Sequence, residues 1–469
     1  MPAQPDIVLF ATDDHGPWSI ACYGNSETHT PNLDRLATRG TRFANAFTPC
    51  PVCSPARACL ITGRTPSQVG IHDWLEEQHE PIGQRDWLAH ERTLPELLSD
   101  AGYHAVRVGK WHLGQSHRRP PGFDRFFAGA IHTGPHFGDI AYIGDDGEQT
   151  IAGAKTTVYT DAAERFIADA PRDKPLFLYV GYSATHSPYQ AEAHDPAATA
   201  PYATARFNDI PPYRPHPWHK NEGLAGGDPP SEADMRTRYR GYYAAVSEID
   251  AGVGRVLTAL DRRGGGGGAL VVYTADHGCA LGHQGYWGKG NSTRPLNMHE
   301  ASIRVPLIVA GPGVAADRIE PHGVDHYDTF AALAEAGHAE LDAARHYPGR
   351  SWRPLAAGDT DPDWDDARYG EYGDLRMIRT PTRKFVKRYP HGPYDLFDLE
   401  RDPDETLNRA GWEQYLSEQR DLDARLEAWY ARHEDAARTG LRVKALPMHN
   451  RANEAWRDGR REQRGLQVY

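Results

Sequence analysis

Apolar runs of strand length alternate with stretches of helical spacing along the larger, first part of the chain. Residues 7–12, 175–181 and 269–275 are continuous apolar runs, as in strands that are buried on both faces of a sheet. Residues 158–170 and 232–263 repeat apolar positions at helical spacing, and the second stretch is long enough for one helix or a helix pair. Strands separated by helices predict an α/β fold with a mostly parallel central sheet and helices on both faces.

The pattern changes near residue 365, where short segments of alternating polarity replace the long apolar runs. These segments predict strands at 369–372, 376–379, 384–389 and 394–399, and a charged helix at 412–433. We therefore expect a large first domain over 1–360, a small C-terminal α+β domain with an antiparallel sheet over 361–435, and a tail over 436–469. The tail has little apolar content, so it is expected to wrap the surface or reach a neighbouring subunit.

Composition limits the kind of protein that this chain forms. With 469 residues and 39% hydrophobic content it can bury a large core, and its five cysteines do not suggest a disulfide framework. The net charge of −12 and the lack of Lys/Arg-rich runs argue against a nucleic-acid partner. No apolar run approaches the roughly 18 residues of a membrane span, and the first residues do not resemble a signal peptide. We therefore expect a cytoplasmic protein with no membrane partner.

Two of the predicted strands end in acidic residues. Asp13 and Asp14 follow the first apolar run, and Asp276 and His277 follow the third. The carboxyl ends of strands are where open α/β sheets place their sites, and adjacent carboxylates repel each other unless a cation offsets their charge. These acidic residues are therefore candidate ligands for a cation. Taken alone, the pattern favours a solvated turn, because aspartate and glycine are ordinary turn residues.

The chain is predicted to pass from loop to helix around Cys53. Ser54 is suited to cap a helix and Pro55 to occupy a first helical position, so Cys53 is expected at a helix N-terminus. Backbone N–H groups and the helix dipole favour an anion there, and Arg57 adds a positive charge one turn further on. A buried, inert cysteine is the alternative. A redox pair with Cys50 is disfavoured, because the surrounding βαβ pattern of such pairs is missing.

Basic side chains follow two other predicted strands. Lys110 and His112 lie just beyond a strand at 105–108, where two residues with this spacing can point to one side and offer donors to a small anion. His186 follows the apolar run at 175–181. A histidine suits proton donation there, because its ordinary pKa near ~6.5 is easily tuned across the working pH. A surface lysine, a capped histidine and a structural histidine in a proline turn are the alternatives.

Taken together, these motifs resemble those of type I sulfatases in the alkaline-phosphatase-like superfamily, and they occur in the same order. Residues 53–57 (CSPAR) match the C-x-P-x-R signature of that family, and residues 60–64 (LITGR) resemble its continuation. Further matches are Asp13 and Asp14, DHG at 276–278, GKWHLG at 109–114, the H-x-P turn at 186–188 and Lys289 within WGKG at 287–290. The resemblance covers about residues 7–408 and implies the family's α/β sandwich with a smaller C-terminal antiparallel-sheet domain.

The resemblance implies a sulfuric ester hydrolase that acts on a small-molecule sulfate monoester, either a sulfated carbohydrate or another alkyl or aryl sulfate. Cys53 is expected to be converted to formylglycine by a formylglycine-generating enzyme, and the hydrated aldehyde is expected to attack sulfur. The implied metal ligands are Asp13, Asp14, Cys53, Asp276 and His277. Ca²⁺ is the expected ion, and the histidine leaves Mg²⁺, Mn²⁺ or Zn²⁺ open.

The same resemblance implies roles for the basic residues. Lys110, His186 and Lys289 are expected to bind the sulfate group, and Arg57 is expected to steady the formylglycine. His186 would protonate the leaving alcohol with help from Lys289, and His112 would take the proton whose removal releases sulfate. Arg304 is expected to brace the loop below the site.

Two other functions remain open at this point. One is a phosphonate monoester or phosphodiester hydrolase on the same scaffold, and the other is a catalytically silent anion-binding protein. The leaving group is also open. Trp74, Trp87, His132 and His136 suggest an aromatic and polar pocket suited to a sugar, although they are equally compatible with core positions. A homo-oligomer is neither required nor excluded by the sequence.

Overall fold

The computed structural model of the protein describes residues 4–131, 134–218, 231–264 and 268–451. The strands are β1 (Asp6–Thr12), β2 (Thr41–Phe47), β3 (His104–Gly109), β4 (Arg125–Gly129), β5 (Phe137–Gly144), β6 (Gly147–Ala154), β7 (Leu176–Gly181), β8 (Ala269–Ala275), β9 (Ala280–Leu281), β10 (Trp287–Gly288), β11 (Arg304–Val305), β12 (Leu307–Ala310), β13 (Arg318–Asp325), β14 (Arg368–Tyr372), β15 (Leu375–Arg379), β16 (Arg383–Arg388) and β17 (Asp395–Asp398).

The helices are α1 (Pro31–Thr38), α2 (Cys53–Thr62), α3 (Pro66–Val69), α4 (Leu94–Asp100), α5 (Lys155–Asp169), α6 (Pro196–Thr199), α7 (Glu232–Arg263), α8 (Glu300–Ile303), α9 (His326–Ala336), α10 (Arg353–Ala357) and α11 (Leu416–His433). The stretch predicted as one helix or a pair is the single helix α7, which begins with a capping box between Ser231 and Asp234. Of the helices that the structure describes, none is long and apolar enough to cross a membrane.

Within the described residues, one large sheet has the strand order β11-β2-β12-β8-β1-β7-β3-β4-β5-β6, with β13 paired to β2. The strands β8, β1, β7, β3 and β4 run parallel to their neighbours in that series, whereas β5, β11 and β12 run antiparallel to theirs. The sheet is therefore mostly parallel, as predicted. Its antiparallel additions at both sides, including the β5–β6 hairpin, were not predicted.

Both faces of this sheet are covered by helices, because side chains alternate between the two faces of a strand. On β1, Ile7 and Leu9 pack in one core with residues of α2, α4, α9 and α10. Val8 and Phe10 pack in a second core with residues of α1, α5 and α7. The central strands have no polar face, which explains why their sequences are continuous apolar runs.

The C-terminal region forms a separate antiparallel sheet in the order β14-β15-β16-β17. One face of this sheet packs against α11, through Ile378, Phe385, Leu422 and Leu426 among others. The other face packs against the loop that precedes Cys53: Met377 and Val386 share a core with Cys50 and Val52. The small sheet thus supports the chain directly before α2.

Candidate active site

Four neighbouring parallel strands assemble the site at their carboxyl ends. The strands β8, β1, β7 and β3 lie side by side, and each is followed along the chain by predicted site residues. β1 and β8 are in register up to Thr12 and Ala275, so Asp13 and Asp276 leave the sheet as neighbours. The Asp276 N–H donates to Thr12 O at 2.9 Å, which extends the ladder by one residue. The register therefore brings the two acidic motifs together.

Two site residues leave the sheet with a positive φ, which is rare for residues other than glycine. Asp14 has a φ of 53° and His112 a φ of 61°. Aspartate and histidine tolerate this conformation better than most residues, but it still costs free energy. Asp14 is held in place because its carbonyl oxygen accepts hydrogen bonds from Thr185 Oγ1 at 2.7 Å and Tyr242 OH at 2.8 Å.

The nucleophile candidate Cys53 lies at the first position of α2, as predicted. The predicted capping role of Ser54 is wrong, because the helix begins before it and Val52 occupies the cap position without a side-chain hydrogen bond. Ser54 Oγ instead accepts a hydrogen bond from the Leu75 N–H at 3.0 Å. The start of α2 is thereby tied to a distant segment of the chain.

Charged and polar groups surround the buried Cys53 thiol. Its Sγ lies 3.0 Å from Lys289 Nζ, 3.5 Å from His277 Nε2 and 3.6 Å from Asp13 Oδ1. Burial alone would raise the pKa of this thiol, but the positive charges of Lys110 and Lys289 outweigh it and lower the pKa well below its usual range. The atom at this position is therefore stabilised as an anion, which is what a nucleophile needs.

Possible metal ligands converge on the same point. Four buried residues each offer one ligand atom, and these atoms lie within 4.8 Å of one another. The residues are Asp13, Asp14, Cys53 and His277. Carboxylate oxygens with an imidazole nitrogen form a donor set for a divalent cation, so these residues fit one ion. The fifth predicted ligand, Asp276, lies beside this group, with Oδ1 3.5 Å from His277 Nε2. Its assignment as a ligand stays a prediction.

Arg57 fixes the acidic side of the site. Its Nε donates to Asp276 Oδ2 at 2.9 Å, and its Nη1 donates to Tyr179 OH at 2.8 Å. Burial and the nearby charge of Asp13 raise the pKa of Asp276 to about 7, although Arg57 opposes this shift. Arg57 therefore stabilises charge on the acids that surround Cys53, and its expected role in steadying the formylglycine stays a prediction.

Two lysines complete the charge balance of the site. Lys110 Nζ forms a short ion pair with Asp13 Oδ2, and Lys289 Nζ lies 2.5 Å from Asp14 Oδ1. Burial of Asp13 would raise its pKa, but Lys110 in particular holds it well below the usual range. Together with Arg57, these lysines match the three carboxylates in charge. A bound divalent ion would thus leave a positive field that attracts an anionic substrate.

The two predicted catalytic histidines, His112 and His186, lie beside Cys53 and contribute to the lowered pKa of its thiol. His112 Nε2 donates to Leu75 O at 2.8 Å, so its Nδ1 is the ring nitrogen left to accept a proton. His186 Nδ1 donates to Ser187 O at 2.9 Å, so its Nε2 is the ring nitrogen left for the groups around Cys53. His186 is only half-buried. Burial opposes its protonation, but Asp14 and Asp13 raise its pKa above the usual value.

The residues proposed as a sugar pocket fall in different places. Trp87 belongs to the hydrophobic core and stacks on His449 with ring centroids 4.9 Å apart, so it does not face the site. Trp74 is half-buried, and His136 is buried beside the loop that carries His186. His132 lies outside the described residues. Arg304 donates to Ala44 O at 2.7 Å and thus braces strand β2.

Sequence reasoning missed the polar residues that support the site from behind. Tyr189 OH donates to Asp14 Oδ2 at 3.0 Å, and His326 Nε2 donates to Asp276 O at 2.7 Å. Thr185, Tyr179 and Tyr242 make the further bonds described above. Most of these residues lie on elements far from their partners in sequence, and their local patterns resemble those of ordinary buried residues. No sequence signal distinguishes them.

Known proteins resemble this chain along most of its length. Residues 5–339 match the family model described as Sulfatase, and residues 294–432 match the model described as N-sulphoglucosamine sulphohydrolase, C-terminal. The chain is 25% identical over 513 residues to N-acetylglucosamine-6-O-sulfatase of Bacteroides thetaiotaomicron, with 92% of this chain and 87% of that protein covered.

Solved structures with the same fold include one protein in complex with its substrate D-glucosamine-2-N,6-O-disulfate. It has a TM-score of 0.78 and 23% identity, and the match covers 92% of this chain and 99% of that one. A phosphonate monoester hydrolase of Agrobacterium radiobacter has a TM-score of 0.73 and 19% identity, with 95% of this chain and 100% of that one covered. The alkaline-phosphatase-like α/β fold is thereby confirmed. The Sulfatase model matches most of this chain, and the chain itself aligns along nearly its whole length with a curated sulfatase. This protein therefore belongs to the sulfatase family and is a sulfuric ester hydrolase.

Proposed function

We propose that the enzyme hydrolyses the sulfate ester of a carbohydrate, and that a 6-O-sulfated glucosamine unit is its substrate class. The observation that carries the catalytic part is the position of Cys53 Sγ, which three of the site's cationic and metal-ligating side chains contact within 3.6 Å. The substrate class is supported by the relative named N-acetylglucosamine-6-O-sulfatase, and by the similar structure that holds a glucosamine disulfate.

We further propose that Asp13, Asp14, His277 and residue 53 hold one divalent metal ion, with Asp276 as an added ligand. When bound there, such an ion would supply Lewis-acid chemistry that stabilises negative charge. The carboxylates favour Ca²⁺, and the imidazole keeps Mg²⁺, Mn²⁺ and Zn²⁺ as candidates. The ligand atoms that lie within 4.8 Å of one another support a single ion.

Residue 53 is proposed to act as formylglycine, which requires a formylglycine-generating enzyme in the producing cell. The hydrated aldehyde supplies an oxygen nucleophile where the thiol now stands. Lys289, at 3.0 Å from this position, and Lys110, beside Asp13, bind the sulfate oxygens. Because both lysines are fixed by ion pairs, they stabilise shifting charge without first reorganising.

The two histidines divide the proton transfers. His186 is the general acid for the departing alcohol, because its Nε2 is directed at residue 53 and its raised pKa keeps a proton on the ring. Its side chain is only half-buried, so solvent can reach it. His112 is the base, because its Nε2 is bonded to Leu75 O and its Nδ1 is directed at residue 53.

The test is a mass measurement combined with a substrate panel. Protein is produced with and without a formylglycine-generating enzyme, and the peptide that contains residue 53 is weighed. The panel holds N-acetylglucosamine-6-sulfate, nitrophenyl sulfate and phenyl phosphonate monoester. We expect thiol-to-aldehyde conversion and sulfate release from the sugar only in the protein made with the generating enzyme. Full activity of the unconverted protein, or activity on every substrate except the sugar, would refute the proposal.

A second candidate function is phosphonate monoester hydrolysis, which is favoured by the fold shared with the Agrobacterium radiobacter enzyme. The same panel separates the two functions. A kcat/KM for the phosphonate ester above that for both sulfate esters would select this alternative.

A further inference from the structure

Two buried histidines lie under the loop that carries His186. The rings of His136 and His194 are stacked, with centroids 4.7 Å apart and planes inclined by 12°. Their residues are 4% and 2% exposed, so both rings are withdrawn from solvent. We call them the histidine pair. Neither residue belongs to the groups that surround Cys53, and the mechanism described above does not use them.

Each ring of the histidine pair holds one carbonyl oxygen of the His186 loop. His136 Nε2 donates to His186 O at 2.6 Å, and His194 Nε2 donates to Pro188 O at 3.2 Å. Carbonyl oxygens accept only, so both rings carry their proton on Nε2. Burial lowers the pKa of His136 well below the usual value and that of His194 to about 4, so both rings remain neutral donors.

The loop between these two anchored carbonyls contains the atom that orients the general acid. His186 Nδ1 donates to Ser187 O at 2.9 Å, and Ser187 lies between the anchored residues His186 and Pro188. The direction of His186 Nε2 therefore depends on a peptide that is fixed on both sides. A tilt of this peptide would move Nε2 away from residue 53 and leave the two sulfate-binding lysines, Lys110 and Lys289, in place.

The histidine pair is itself held rigidly. The His136 N–H donates to Ala193 O at 3.2 Å, and the N–H of Lys155, the first residue of α5, donates to His136 O at 2.8 Å. On the other side, a Cβ at Gly241 of α7 would lie 2.9 Å from His194 Cδ2, so this helix packs tightly against the ring. The pair thus connects α5 and α7 with the His186 loop.

We propose that His136 and His194 are positioning residues that aim His186 Nε2 at the leaving-group oxygen. This inference rests on the proposed role of His186 as general acid. General acid catalysis matters most when the leaving group is a poor one, such as a sugar alkoxide, and least for nitrophenolate. Loss of a positioning bond should therefore slow sugar sulfates selectively, with kcat rather than KM affected.

The experiment measures kcat and KM of the formylglycine-containing enzyme on a sugar sulfate and on nitrophenyl sulfate. His186→Ala sets the reference, with an expected loss of roughly 10² to 10⁴ on the sugar sulfate and much less on the nitrophenyl ester. His136→Leu removes the donor and should lose up to about 10²-fold on the sugar sulfate, as a small misplacement does, with little change on the nitrophenyl ester. His136→Gln keeps an N–H at the end of the side chain and should recover most of this loss.

Matched controls distinguish positioning from general damage. Lys110→Ala removes a sulfate contact common to both substrates and should slow both equally. His104→Gln changes a histidine at the amino end of β3, far from the site, and should leave both rates unchanged. His194→Phe keeps a stacked ring but removes the bond to Pro188 O, and serves as a second variant if His136→Leu unfolds.

The outcomes separate the two proposals. If His186→Ala depends on the leaving group but His136→Leu and His194→Phe slow both substrates equally or not at all, the histidine pair has only a packing role and this inference is overturned. If His186→Ala itself shows no dependence on the leaving group, the general-acid assignment fails, and the positioning role fails with it.

Discussion

The site combines a sheet-edge group, Asp13, Asp14, Asp276 and His277, with two loop histidines, His112 and His186. The sheet-edge group follows β1 and β8 without an intervening residue, so the strand ladder fixes it. By contrast, β3 ends at Gly109 and β7 at Gly181, so the loop histidines lie further into their loops.

The two parts of the site therefore depend on different kinds of contact. The sheet-edge group is brought together by the adjacent strands that it directly follows, and local sequence patterns indicate such buried strands well. The loop histidines require side-chain bonds to carbonyl oxygens, such as His112 Nε2 to Leu75 O, which is 37 residues away along the chain. We expect substitutions near the sheet edge to affect metal binding and charge, and substitutions around the loops to affect the direction of proton transfer.

The largest effect is expected at Cys53, which contacts both parts of the site. Cys53→Ala removes the residue from which the nucleophile is made, and turnover should fall by about 10⁶-fold, the scale seen when a covalent nucleophile is deleted. Cys59→Ala is the matched control, because Cys59 is buried in the same helix but lies outside the site. It should keep its turnover. Retention of more than a few per cent of activity by Cys53→Ala would contradict the assignment.

The next effect tests the sheet-edge group itself. Asp13→Asn removes one carboxylate from the four possible ligands that converge, so both metal content and activity should fall. A catalytic ion supplies several kcal/mol, so the loss of activity should be on the order of 10⁴-fold. Asp276→Asn should lose less metal, because Asp276 lies beside that group and is paired with Arg57.

Elemental analysis of the purified variants measures the metal. Asp6→Asn is the control, because Asp6 lies at the opposite end of the same strand β1 and pairs with Arg263. Equal and full metal content in Asp13→Asn and Asp276→Asn would show that the sheet-edge group does not hold the ion.

The sheet-edge group shows how far sequence reasoning reaches. The apolar runs that end in Asp13 and Asp276 correspond to β1 and β8, and strands buried on both faces leave few other interpretations of such runs. The predicted small antiparallel sheet and its helix are likewise confirmed as β14 to β17 and α11. In these regions local periodicity and tertiary structure agree.

Sequence reasoning fails where the structure depends on distant contacts. The β5–β6 hairpin projects from the edge of the sheet with most of β6 exposed, so it has no apolar run to reveal it. Serine is a residue type favoured at helix caps, but Ser54 instead accepts a hydrogen bond from the segment around Leu75. The sequence leaves His136 open between a sugar pocket and a core position, because nothing in its own neighbourhood indicates the carbonyl that it holds. A local pattern cannot encode such partners.

A smaller effect separates the two loop histidines from each other. His112→Gln removes the ring proposed as the base for the last proton transfer, but not the groups that expel the alcohol, and general-base loss costs roughly 10² to 10⁴ in rate. We expect rapid release of about one equivalent of nitrophenol per converted site, followed by slow turnover, because the proposed base acts after the alcohol leaves. Both variants are followed by stopped flow. His186→Ala, tested with a substrate that has a poor leaving group, should show no burst of alcohol release. A burst in neither variant would argue against the order of proton transfers proposed for the two histidines.

The smallest effect is expected in the C-terminal segment around Asn450, which supports His112 only indirectly, through the residues before Leu75. Asn450 Nδ2 donates to Asp73 Oδ2 and to Trp74 O, each at 3.1 Å, and thereby holds the residues directly before Leu75. Asn450→Ala removes both bonds but acts on His112 only through the Leu75 segment. We therefore expect kcat to fall about fivefold, the equivalent of about 1 kcal/mol or one net hydrogen bond, and amide exchange of the Leu75 N–H to become faster. Arg451→Ala is the control, because Arg451 forms only an exposed pair with Glu76, which is worth little. If the two variants gave the same kcat and the same exchange rate, the C-terminal segment would only cover the surface, and the position of His112 would depend on the Leu75 segment alone.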